Sequence, residues 1–299
     1  MAIAAILWGL MAPISKKVLN SDLIDAFSLT TFRIFGAAVL FWIVSAFVKH
    51  EEVSHHDMVR LFFASLLAIV FNQGSFIMGI SLTSPIDASI ITTTTPLVTM
   101  IIAAVYLKEP ITGKKITGIF IGAIGALLLI LGSQHDTANM NSSNIWGDVL
   151  CFFAQVSFSF YFVIFKDLTS KYSPITLMKW MFMYASICCI PFSYRNIAAI
   201  DFTAVPLNDY MGVLYIVFFG TFISYIFLLV GQRVLRPTVG VMYNNLQPIV
   251  ASIVAVFWGM DTFGWSKAFA VILVFFGVYI VTQSKSKAQL DAERATKKV

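Results

Sequence analysis

The sequence predicts an all-α integral membrane protein, with ten transmembrane helices arranged as two inverted five-helix repeats around a central cavity. Three observations predict this architecture. The 299 residues are 59% hydrophobic and only 12% charged, whereas soluble domains are about 45–50% apolar and about 25% charged. Ten apolar runs follow one another along the chain. Finally, special residues of the first five runs recur at one fixed distance in the last five.

The apolar runs have the character of membrane-spanning helices. A helix needs about 20 apolar residues to cross a hydrocarbon layer of roughly 30 Å, and the runs lack the period-2 alternation of barrel strands. The first run is short and lacks the basic residues that open a signal peptide, so we interpret it as a helix. In chain order the runs cover residues 1–14, 26–48, 58–80, 85–107, 116–132, 145–165, 175–192, 210–231, 238–258 and 263–281.

Short polar segments separate these runs and justify each boundary in turn. They contain the charged, proline and asparagine residues that a lipid-buried helix avoids. The connections are too short to hold a soluble domain, so any function must lie among the helices. In order, the segments that follow the ten runs include "SKKVLNSDLID", "KHEEVSHHD", "SLTSP", "KEPITGKK", "SQHDTANMNSSN", "KDLTSKYSP", "SYRNIAAIDFTAVPLND", "GQRVLRP", "GMDTFGWSK" and "SKSKAQLDAERATKKV".

Basic residues are distributed unevenly between the two predicted membrane faces. The formal net charge is +5, from 20 Lys and Arg against 15 Asp and Glu. If both ends are cytoplasmic, 15 basic residues lie at or near the inner side, four lie outside, and Arg33 lies within a helix. This asymmetry follows the positive-inside rule. It predicts a multi-pass protein of the cytoplasmic (inner) membrane with cytoplasmic termini, including a basic tail at residues 284–299, and no nucleic-acid partner.

Cysteines, histidines and acids form no pattern typical of a catalytic or metal site. Glu51, Glu52 and His55 could share a helical face as metal ligands, but a solvated loop is the favoured interpretation. A membrane-embedded enzyme would need paired acids or a nucleophile with its base. We therefore predict no metal, no cofactor and no enzyme activity. The cysteines fall inside predicted helices and are interpreted as packing residues: Cys151, Cys188 and Cys189.

An internal repeat relates the two parts of the chain. Weaker matches pair Lys16 with Lys166 and Arg33 with Lys179 at slightly shorter offsets. We predict two five-helix halves, residues 1–133 and 145–283. A shift of 152 positions aligns five pairs of special residues: Pro85 with Pro237, Pro96 with Pro248, Glu109 with Asp261, Gly79 with Gly231, and Gly125 with Gly277.

Five crossings in each half would insert the second half from the opposite side of the membrane. The result is an inverted repeat about an axis in the membrane plane. Two similar halves of opposite orientation can form an inward-open state and an outward-open state. This is the geometry of alternating access, so the pattern favours a secondary transporter.

Three segments also resemble a known family. "ILWGLMAPISK" is similar to its Trp-Gly opening followed by a basic residue, and "TTFRIFGAAVLF" to its second-helix Arg motif. "TSPIDASIITTTTPLVTMIIAAVYLKEPITGKKITGIFIGAIGALLLI" resembles its signature helix pair. The family is the EamA-type branch of the drug/metabolite transporter superfamily. In the second half the turn reads "WGMDTFGW" and the sixth helix lacks the Trp-Gly pair, so the resemblance there concerns the fold.

This resemblance implies a fold and a class of activity. Members have ten helices in two inverted repeats, and they move small polar metabolites such as amino acids or related compounds. The expected function is export of such a solute by alternating access across the cytoplasmic membrane. Two alternatives remain open at this point: a membrane-embedded enzyme, and a passive channel or scaffold without carrier activity.

Polar residues precede a helix-interrupting proline in both halves. An unbonded polar group in hydrocarbon costs several kcal/mol, so such clusters indicate a water-accessible cavity between the halves. The alternative is that these side chains only hydrogen-bond neighbouring helices, at roughly 0.6 kcal/mol per pair. The first cluster comprises Thr92, Thr93, Thr95 and Pro96, and the offset of 152 aligns it with Asn244, Asn245, Gln247 and Pro248. Thr92, Thr93, Asn244 and Asn245 are selected as cavity residues.

Further polar candidates lie on neighbouring helices. Asn72 and Ser75 share one face of the third helix at i, i+3 spacing. Gln155 and Ser159 give the sixth helix a polar stripe at i, i+4 spacing. All four are predicted to face the cavity.

Aromatic residues could form its walls, since most small-molecule sites are apolar surfaces with a few placed polar groups. The candidates are Trp8, Trp180, Tyr225 and Tyr243. We select Trp8 and Tyr243. The alternative for each is ordinary packing or an interfacial belt.

Arg33 and Lys179 are charged residues inside predicted helices. A charge near the bilayer centre costs about 2.5–3.5 kcal/mol even on insertion scales. Arg33 is therefore a candidate ligand for anionic groups, and the alternative is that it snorkels and bonds to carbonyls. No carboxylate or histidine lies in the middle of a predicted helix, which favours facilitated transport or exchange over proton coupling.

The predicted partners are a small polar solute and the lipid bilayer. Gly118, Gly122 and Gly125 form a small-residue face on the fifth helix. Such a face permits close helix contact. We interpret it as packing within a monomer, and a homodimer seam is the alternative.

Overall fold

The structure is a computed structural model that describes residues 2–106, 113–132, 144–234, 246–260 and 264–283. Secondary structure within these ranges is helical, without strands. Two short π-helical segments, Leu66–Phe71 and Phe218–Ile223, join α-helices end to end. The α-helices are α1 Ala2–Leu19, α2 Ala26–Ser45, α3 His55–Ser65, α4 Asn72–Leu82, α5 Pro85–Thr92, α6 Thr95–Tyr106, α7 Gly113–Gly132, α8 Ile145–Ile164, α9 Lys166–Lys171, α10 Pro174–Ala198, α11 Leu207–Val217, α12 Ser224–Val234, α13 Leu246–Phe257 and α14 Trp265–Thr282.

Each of the ten predicted runs overlaps at least one of these helices. In the part of the chain that the structure describes, seven helices are long and apolar enough to cross a membrane. Three further apolar helices are shorter: Ile116–Gly125, Leu246–Phe257 and Ala268–Gly277. The seven are Ala2–Leu19, Ala26–Ser45, His55–Leu82, Pro85–Tyr106, Ile145–Ile164, Pro174–Ala198 and Leu207–Gly231.

Short polar side chains start several of the helices. Asp25 accepts hydrogen bonds from the backbone N–H groups of Phe27 and Ser28 at the beginning of α2. Ser84 and Ser173 cap α5 and α10 in the same manner, and each is followed by a proline at the first helical position. An N-cap side chain satisfies a helix donor that has no carbonyl partner, and proline at the next position loses no hydrogen bond. The capping residues therefore fix where these spans begin.

Large apolar side chains cover the outer surface of the helices. Phe47 and Phe257 are each 86% exposed, and Trp265 is 92% exposed. Small polar residues such as Ser15, Ser159 and Ser224 are fully buried. A soluble protein would expose its polar groups instead. Together with the seven long apolar helices, this surface is that of a multi-pass membrane protein.

Two large hydrophobic clusters form most of the described interior, and a small third cluster contains Leu97 and Val274. The first is built around Phe41, which stacks on Phe182 with ring centroids 5.4 Å apart and lies 4.8 Å from the Phe222 ring. The second lies among α1, α4, α5 and α8, with Ile77 and Ile86 fully buried. Trp8 packs against both clusters.

The two π segments are related by the same offset as the sequence repeat. Leu66–Phe71 and Phe218–Ile223 are 152 positions apart at both ends. Each lies in the middle of a long helical stretch, and each is followed directly by an α-helix that begins with a polar residue, Asn72 or Ser224. A π segment inserts one surplus residue into a helix; such segments are rare and are frequently found at functional sites. The two π segments thus occupy positions that the predicted repeat would make equivalent.

The glycine face of α7 packs within the chain. A Cβ atom at Gly277 of α14 would lie 2.6 Å from the Gly118 carbonyl oxygen and 2.6 Å from the Gly122 nitrogen. A Cβ atom at Gly125 would lie 2.9 Å from Leu273 Cβ. No larger side chain fits at this crossing without moving the backbone. Gly125 and Gly277, which the repeat relates, thus belong to one helix–helix interface.

Candidate functional site

A cavity of about 70 Å³ lies between the two hydrophobic clusters. This is much smaller than the roughly 300–1,000 Å³ of typical small-molecule sites. The lining comprises a basic residue, amides, hydroxyls and apolar walls, and it draws on helices from both predicted halves. The lining residues are Trp8, Met11, Arg33, Asn72, Phe76, Thr92, Thr95, Gln155, Phe158, Tyr225 and Gln247.

Trp8 of α1 is fixed by a hydrogen bond to the second π segment. Its Nε1 donates to the Gly220 carbonyl oxygen over 3.1 Å, and its ring meets Tyr225 edge to face with centroids 5.8 Å apart. A π turn disturbs the regular i to i−4 ladder, so its carbonyls can accept from side chains. Ser224 Oγ also donates to the Gly220 carbonyl, over 2.8 Å. The indole is therefore held in one orientation at the cavity wall.

Tyr225 is the second aromatic wall. It is 4% exposed, and its hydroxyl accepts from Gln73 Nε2 over 2.9 Å. Gln73 is fully buried and comes from the first half. This bond connects α4 with α12 directly beside the cavity.

Arg33 brings the positive charge. It is 3% exposed and contributes to the cavity lining. Its Nε donates to Thr221 Oγ1 over 2.7 Å, and Thr221 Oγ1 in turn donates to the Ile216 carbonyl, five residues earlier, over 2.8 Å. Among the described residues, no carboxylate lies within ion-pair distance of Arg33. The guanidinium is thus oriented by a neutral hydroxyl.

Amide and hydroxyl groups complete the polar part of the lining. Asn72 Nδ2 donates to the Ala154 carbonyl over 2.8 Å. Thr95 Oγ1 lies 2.9 Å from Gln155 Oε1, and Thr92 Oγ1 lies 3.4 Å from Gln247 Oε1. Each of these contacts joins residues from different halves. The groups are held by the fold and still border the cavity.

The break between α5 and α6 follows from Pro96. Proline has no N–H to give to the Thr92 carbonyl, and its ring crowds that carbonyl. The chain accordingly leaves the helix at Thr93 and Thr94 and re-enters it at Thr95. Thr95 Oγ1 lies 2.6 Å from the Thr92 carbonyl oxygen and supplies the missing donor. The interruption expected at Pro96 is therefore present and brings Thr92 and Thr95 to the cavity.

The predicted site residues divide into four groups. Trp8, Arg33, Asn72, Thr92 and Gln155 line the cavity. Thr93 and Ser159 are fully buried nearby, where Thr93 Oγ1 donates to the Ile90 carbonyl and Ser159 lies 3.0 Å from Thr99 Oγ1. Ser75 is half-buried on α4 and outside the lining. Tyr243, Asn244 and Asn245 lie outside the described residues.

Several lining residues were not selected from the sequence. Thr95 and Gln247 belong to the polar clusters before the prolines, which is the signal that could have identified them. Tyr225 was passed over as an aromatic wall, whereas Trp180 packs elsewhere, with its ring 5.4 Å from Trp42. The apolar members give no polar signal at all: Met11, Phe76 and Phe158. Pro248 borders a separate apolar groove between α13 and α14.

A cluster of charged residues joins the halves at one end of the helices. Arg60 donates two hydrogen bonds to Asp167, of 2.6 and 2.7 Å. Asp57, which is 3% exposed, accepts from Lys171 and from the Tyr172 hydroxyl. Hydrogen bonding to Arg60 lowers the pKa of Asp167, and hydrogen bonding to Asp57 raises the pKa of Lys171. We call these five residues the Asp57 cluster.

Other cross-links connect the halves near the start of α2 and the end of α10. Asn196 Nδ2 donates to Asp25 Oδ2 over 2.5 Å. Thr31 and Ser193 share a hydroxyl–hydroxyl contact of 2.5 Å. Asp25 and Thr31 lie at the N-terminal end of α2, before Arg33. Lys179 contacts the other end of this helix, at Trp42. Polar bonds therefore bridge the halves at two levels, with the cavity as a third.

Comparison with known proteins identifies the family. The model of the EamA-like transporter family matches residues 1–131 and 145–283, which together make up most of the chain. The chain belongs to the EamA-like transporter family. The family resemblance read from the first-half motifs is thereby confirmed.

Relatives of this EamA-like chain carry the names of transporters rather than enzymes. It is 24% identical over 247 residues to the "Uncharacterized transporter YyaM" of Bacillus subtilis (strain 168), which covers 81% of this chain and 79% of that protein. It is 24% identical over 226 residues to an "Uncharacterized transporter" of Archaeoglobus fulgidus, covering 76% of each. A solved crystal structure superposes with a TM-score of 0.62 at 14% identity and 94% coverage of both chains, so the two share a fold.

Proposed function

We propose that this protein is a secondary transporter that exports a small polar metabolite, such as an amino acid or a related compound, across the cytoplasmic membrane by alternating access. One observation carries the proposal. The cavity combines a buried cation, three amides and four aromatic side chains, and both predicted halves of the chain contribute to it. Transporter sites commonly lie at the interface of two repeats, beside interrupted helices.

The proposed architecture is two inverted five-helix units, residues 1–133 and 145–283, followed by a cytoplasmic tail. The equal spacing of the two π segments supports this division, as do the glycines paired across α7 and α14. Five crossings per unit would reverse the orientation of the second unit. We propose that both termini are cytoplasmic and that the monomer is the working unit.

The proposed transport cycle opens one end of the cavity at a time. The Asp57 cluster bridges the halves at the predicted inner side, and the Asp25–Asn196 bond bridges them at the predicted outer side. With both bridges formed, the cavity has room for little more than a few water-sized groups. Opening either end would break one set of polar bonds and leave the other intact.

Counterflow in proteoliposomes tests the proposal. Purified protein is reconstituted with unlabelled candidate metabolites inside, and uptake of the labelled metabolite is followed. A carrier gives transient concentration of label above the outside level. Steady equilibration without such an overshoot would indicate a channel, and conversion of the solute would indicate an enzyme.

A matched pair of variants links transport to the cavity. Asn72→Leu removes a lining amide, whereas Ser75→Ala alters a residue of the same helix outside the lining. Asn72→Leu is expected to lose counterflow, whereas Ser75→Ala should retain it. Cooperative thermal unfolding of both variants would show that both are folded. Equal counterflow by the two variants would remove the cavity from the transport path.

A further inference from the structure

We propose that the solute is a compact organic anion and that its carboxylate pairs with Arg33. This inference rests on the proposed transport function and names the chemical class of the solute. It is carried by the position, burial and partners of one guanidinium group.

Arg33 is a charged side chain that uses one of its five N–H donors in hydrogen bonds to the described residues. A guanidinium has five N–H donors, and the contact recorded for Arg33 uses only Nε, at Thr221 Oγ1. The side chain is 3% exposed and contributes to the cavity lining. A buried charge is costly unless it is paired and hydrogen-bonded. The terminal nitrogens therefore have an energetic reason to accept an anion that enters the cavity.

Lys179 shows how the chain compensates a buried cation that has no such task. It is 6% exposed, and its Nζ lies 5.2 Å from the Trp42 ring centroid and 5.7 Å from that of Trp180. Two aromatic faces offset part of the desolvation of this ammonium. Among the described residues, no ring is recorded over the guanidinium of Arg33. The two repeat-related cations thus differ in environment, and Arg33 is the one that borders open space.

Thr221 orients the guanidinium rather than neutralising it. The Thr221 hydroxyl accepts a hydrogen bond from Arg33 Nε–H and donates one to the Ile216 carbonyl. Its capacity to donate is therefore spent on a carbonyl of α11, just before the π segment. A guanidinium fixed through Nε presents its two Nη groups side by side, and this geometry matches a carboxylate bidentately.

The remaining lining residues limit the size and charge of the solute. In the described part of the lining, Arg33 is the single charged side chain. One positive charge balances a monoanion, whereas a phosphate dianion would leave about half a charge or more unpaired in a buried site. The volume of about 70 Å³ favours a small body. Trp8, Phe158 and Tyr225 offer apolar contact to that body, and Gln155 offers an amide.

Acid and amide pairs test this inference on the wild-type protein. Purified protein in detergent is heated with short-chain monocarboxylates and amino acids, each compared with its own primary amide at neutral pH. An acid that binds the native state raises the melting temperature by mass action. We expect at least one acid to raise the melting temperature. The concentration of its amide that gives half of the maximal rise should be at least tenfold higher. Stabilisation by amides as strongly as by acids, or by no acid, would overturn the inference.

Matched arginine variants locate the effect. Arg33→Gln removes the charge and keeps a donor for Thr221, whereas Arg195→Gln makes the same change at an exposed position of α10. Arg33→Gln is expected to weaken binding of the stabilising acid by on the order of 100-fold, with Arg195→Gln unchanged and Arg33→Lys intermediate. Unaltered acid binding by folded Arg33→Gln would refute the assignment. If Arg33→Gln does not fold, the acid–amide comparison in the wild-type protein decides.

Counterflow separates this inference from the proposed function. Counterflow of a neutral solute that competes with no acid would leave the transporter assignment intact and reject the anion. Acid-specific stabilisation without counterflow of that acid would support the Arg33 site and reject transport.

Discussion

Arg33 Nε and Thr221 Oγ1 are 2.7 Å apart, and this bond ties α2 to the π segment Phe218–Ile223. We expect Thr221→Val to lower stability by about 1–3 kcal/mol, because the buried Nε–H loses its acceptor. Thermal or denaturant unfolding measures the loss. Thr117→Val is the control, since Thr117 is exposed on α7 and its hydroxyl donates to the Gly113 carbonyl of the same helix. Equal stability of the two variants would show that the Arg33–Thr221 bond is dispensable.

Trp8→Phe tests the indole hydrogen bond without removing the aromatic wall. The variant loses the Nε1 donor to the Gly220 carbonyl. Because Ser224 still bonds that carbonyl, the stability cost should be only about 0.5–1.5 kcal/mol, while transport falls severalfold as the wall loses its fixed orientation. Trp146→Phe, at a position 67% exposed, should leave both unchanged. Wild-type counterflow by Trp8→Phe would count against the role of this bond.

Gly277→Ala tests the α7–α14 crossing. The added Cβ would lie 2.6 Å from backbone atoms of Gly118 and Gly122, so the helices must separate. Overpacking of this kind costs about 1–3 kcal/mol. Gly113→Ala is the matched control, because a Cβ there has no neighbour within 4 Å. Thermal unfolding of both variants in detergent should reveal a loss for the first alone, and a loss of equal size in both would point to glycine content rather than packing.

The bonds that Asp167 and Lys171 make in the Asp57 cluster should be insensitive to pH across the physiological range. The lowered pKa of Asp167 means that its contribution to stability is present above the ordinary value of 3.8 and is lost as pH falls through the folded-state pKa. The raised pKa of Lys171 means that its contribution is present below 10.5 and is lost as pH rises through its folded-state pKa. The effect of Asp167→Asn on melting temperature should therefore be constant from about pH 5 to about pH 9. A steep change within that range would assign the titration to other groups.

Surface labelling tests the predicted orientation. Single cysteines replace Glu52, before α3, and Asp201, between α10 and α11, where both residues are exposed. In intact cells a membrane-impermeant maleimide should label the position of Asp201 alone, and permeabilisation should add that of Glu52. Protein without these substitutions controls for the native cysteines. Labelling of both positions from one side would be incompatible with the proposed topology.

The overall character of the fold could be predicted because a chain that crosses a membrane needs long apolar runs. Apolar runs predict helices, and prolines such as Pro96 predict interruptions, since both effects are local. Seven of the spans are long enough in the described residues to meet the length expected for crossing a bilayer. The family resemblance depended on motifs concentrated in the first half, and the family model extends over both.

The cavity lining was less predictable because it depends on how distant helices meet. Trp8 and Asn72 were selected on chemical type and reached the lining, whereas Ser75, chosen by helical spacing from Asn72, did not. Tyr225 and Trp180 were equivalent candidates in the sequence. In the structure Tyr225 contacts Trp8 and Gln73 at the cavity, whereas Trp180 packs against Trp42 away from it. Nothing in the letters "LLAIVF" or "FFGTFI" signals a π segment.

The two π segments also determine in which direction the side chains of the following α-helices point. One surplus residue rotates the rest of a helix by roughly 100° relative to an uninterrupted helix. Asn72 is the first residue after one segment, and Tyr225 is the second residue after the other. The orientation of their side chains towards the cavity therefore depends on the extra residue. Deleting Ile69 and Thr221, one residue from each segment, would turn the Asn72 and Tyr225 side chains about a quarter-turn away from the cavity that they line.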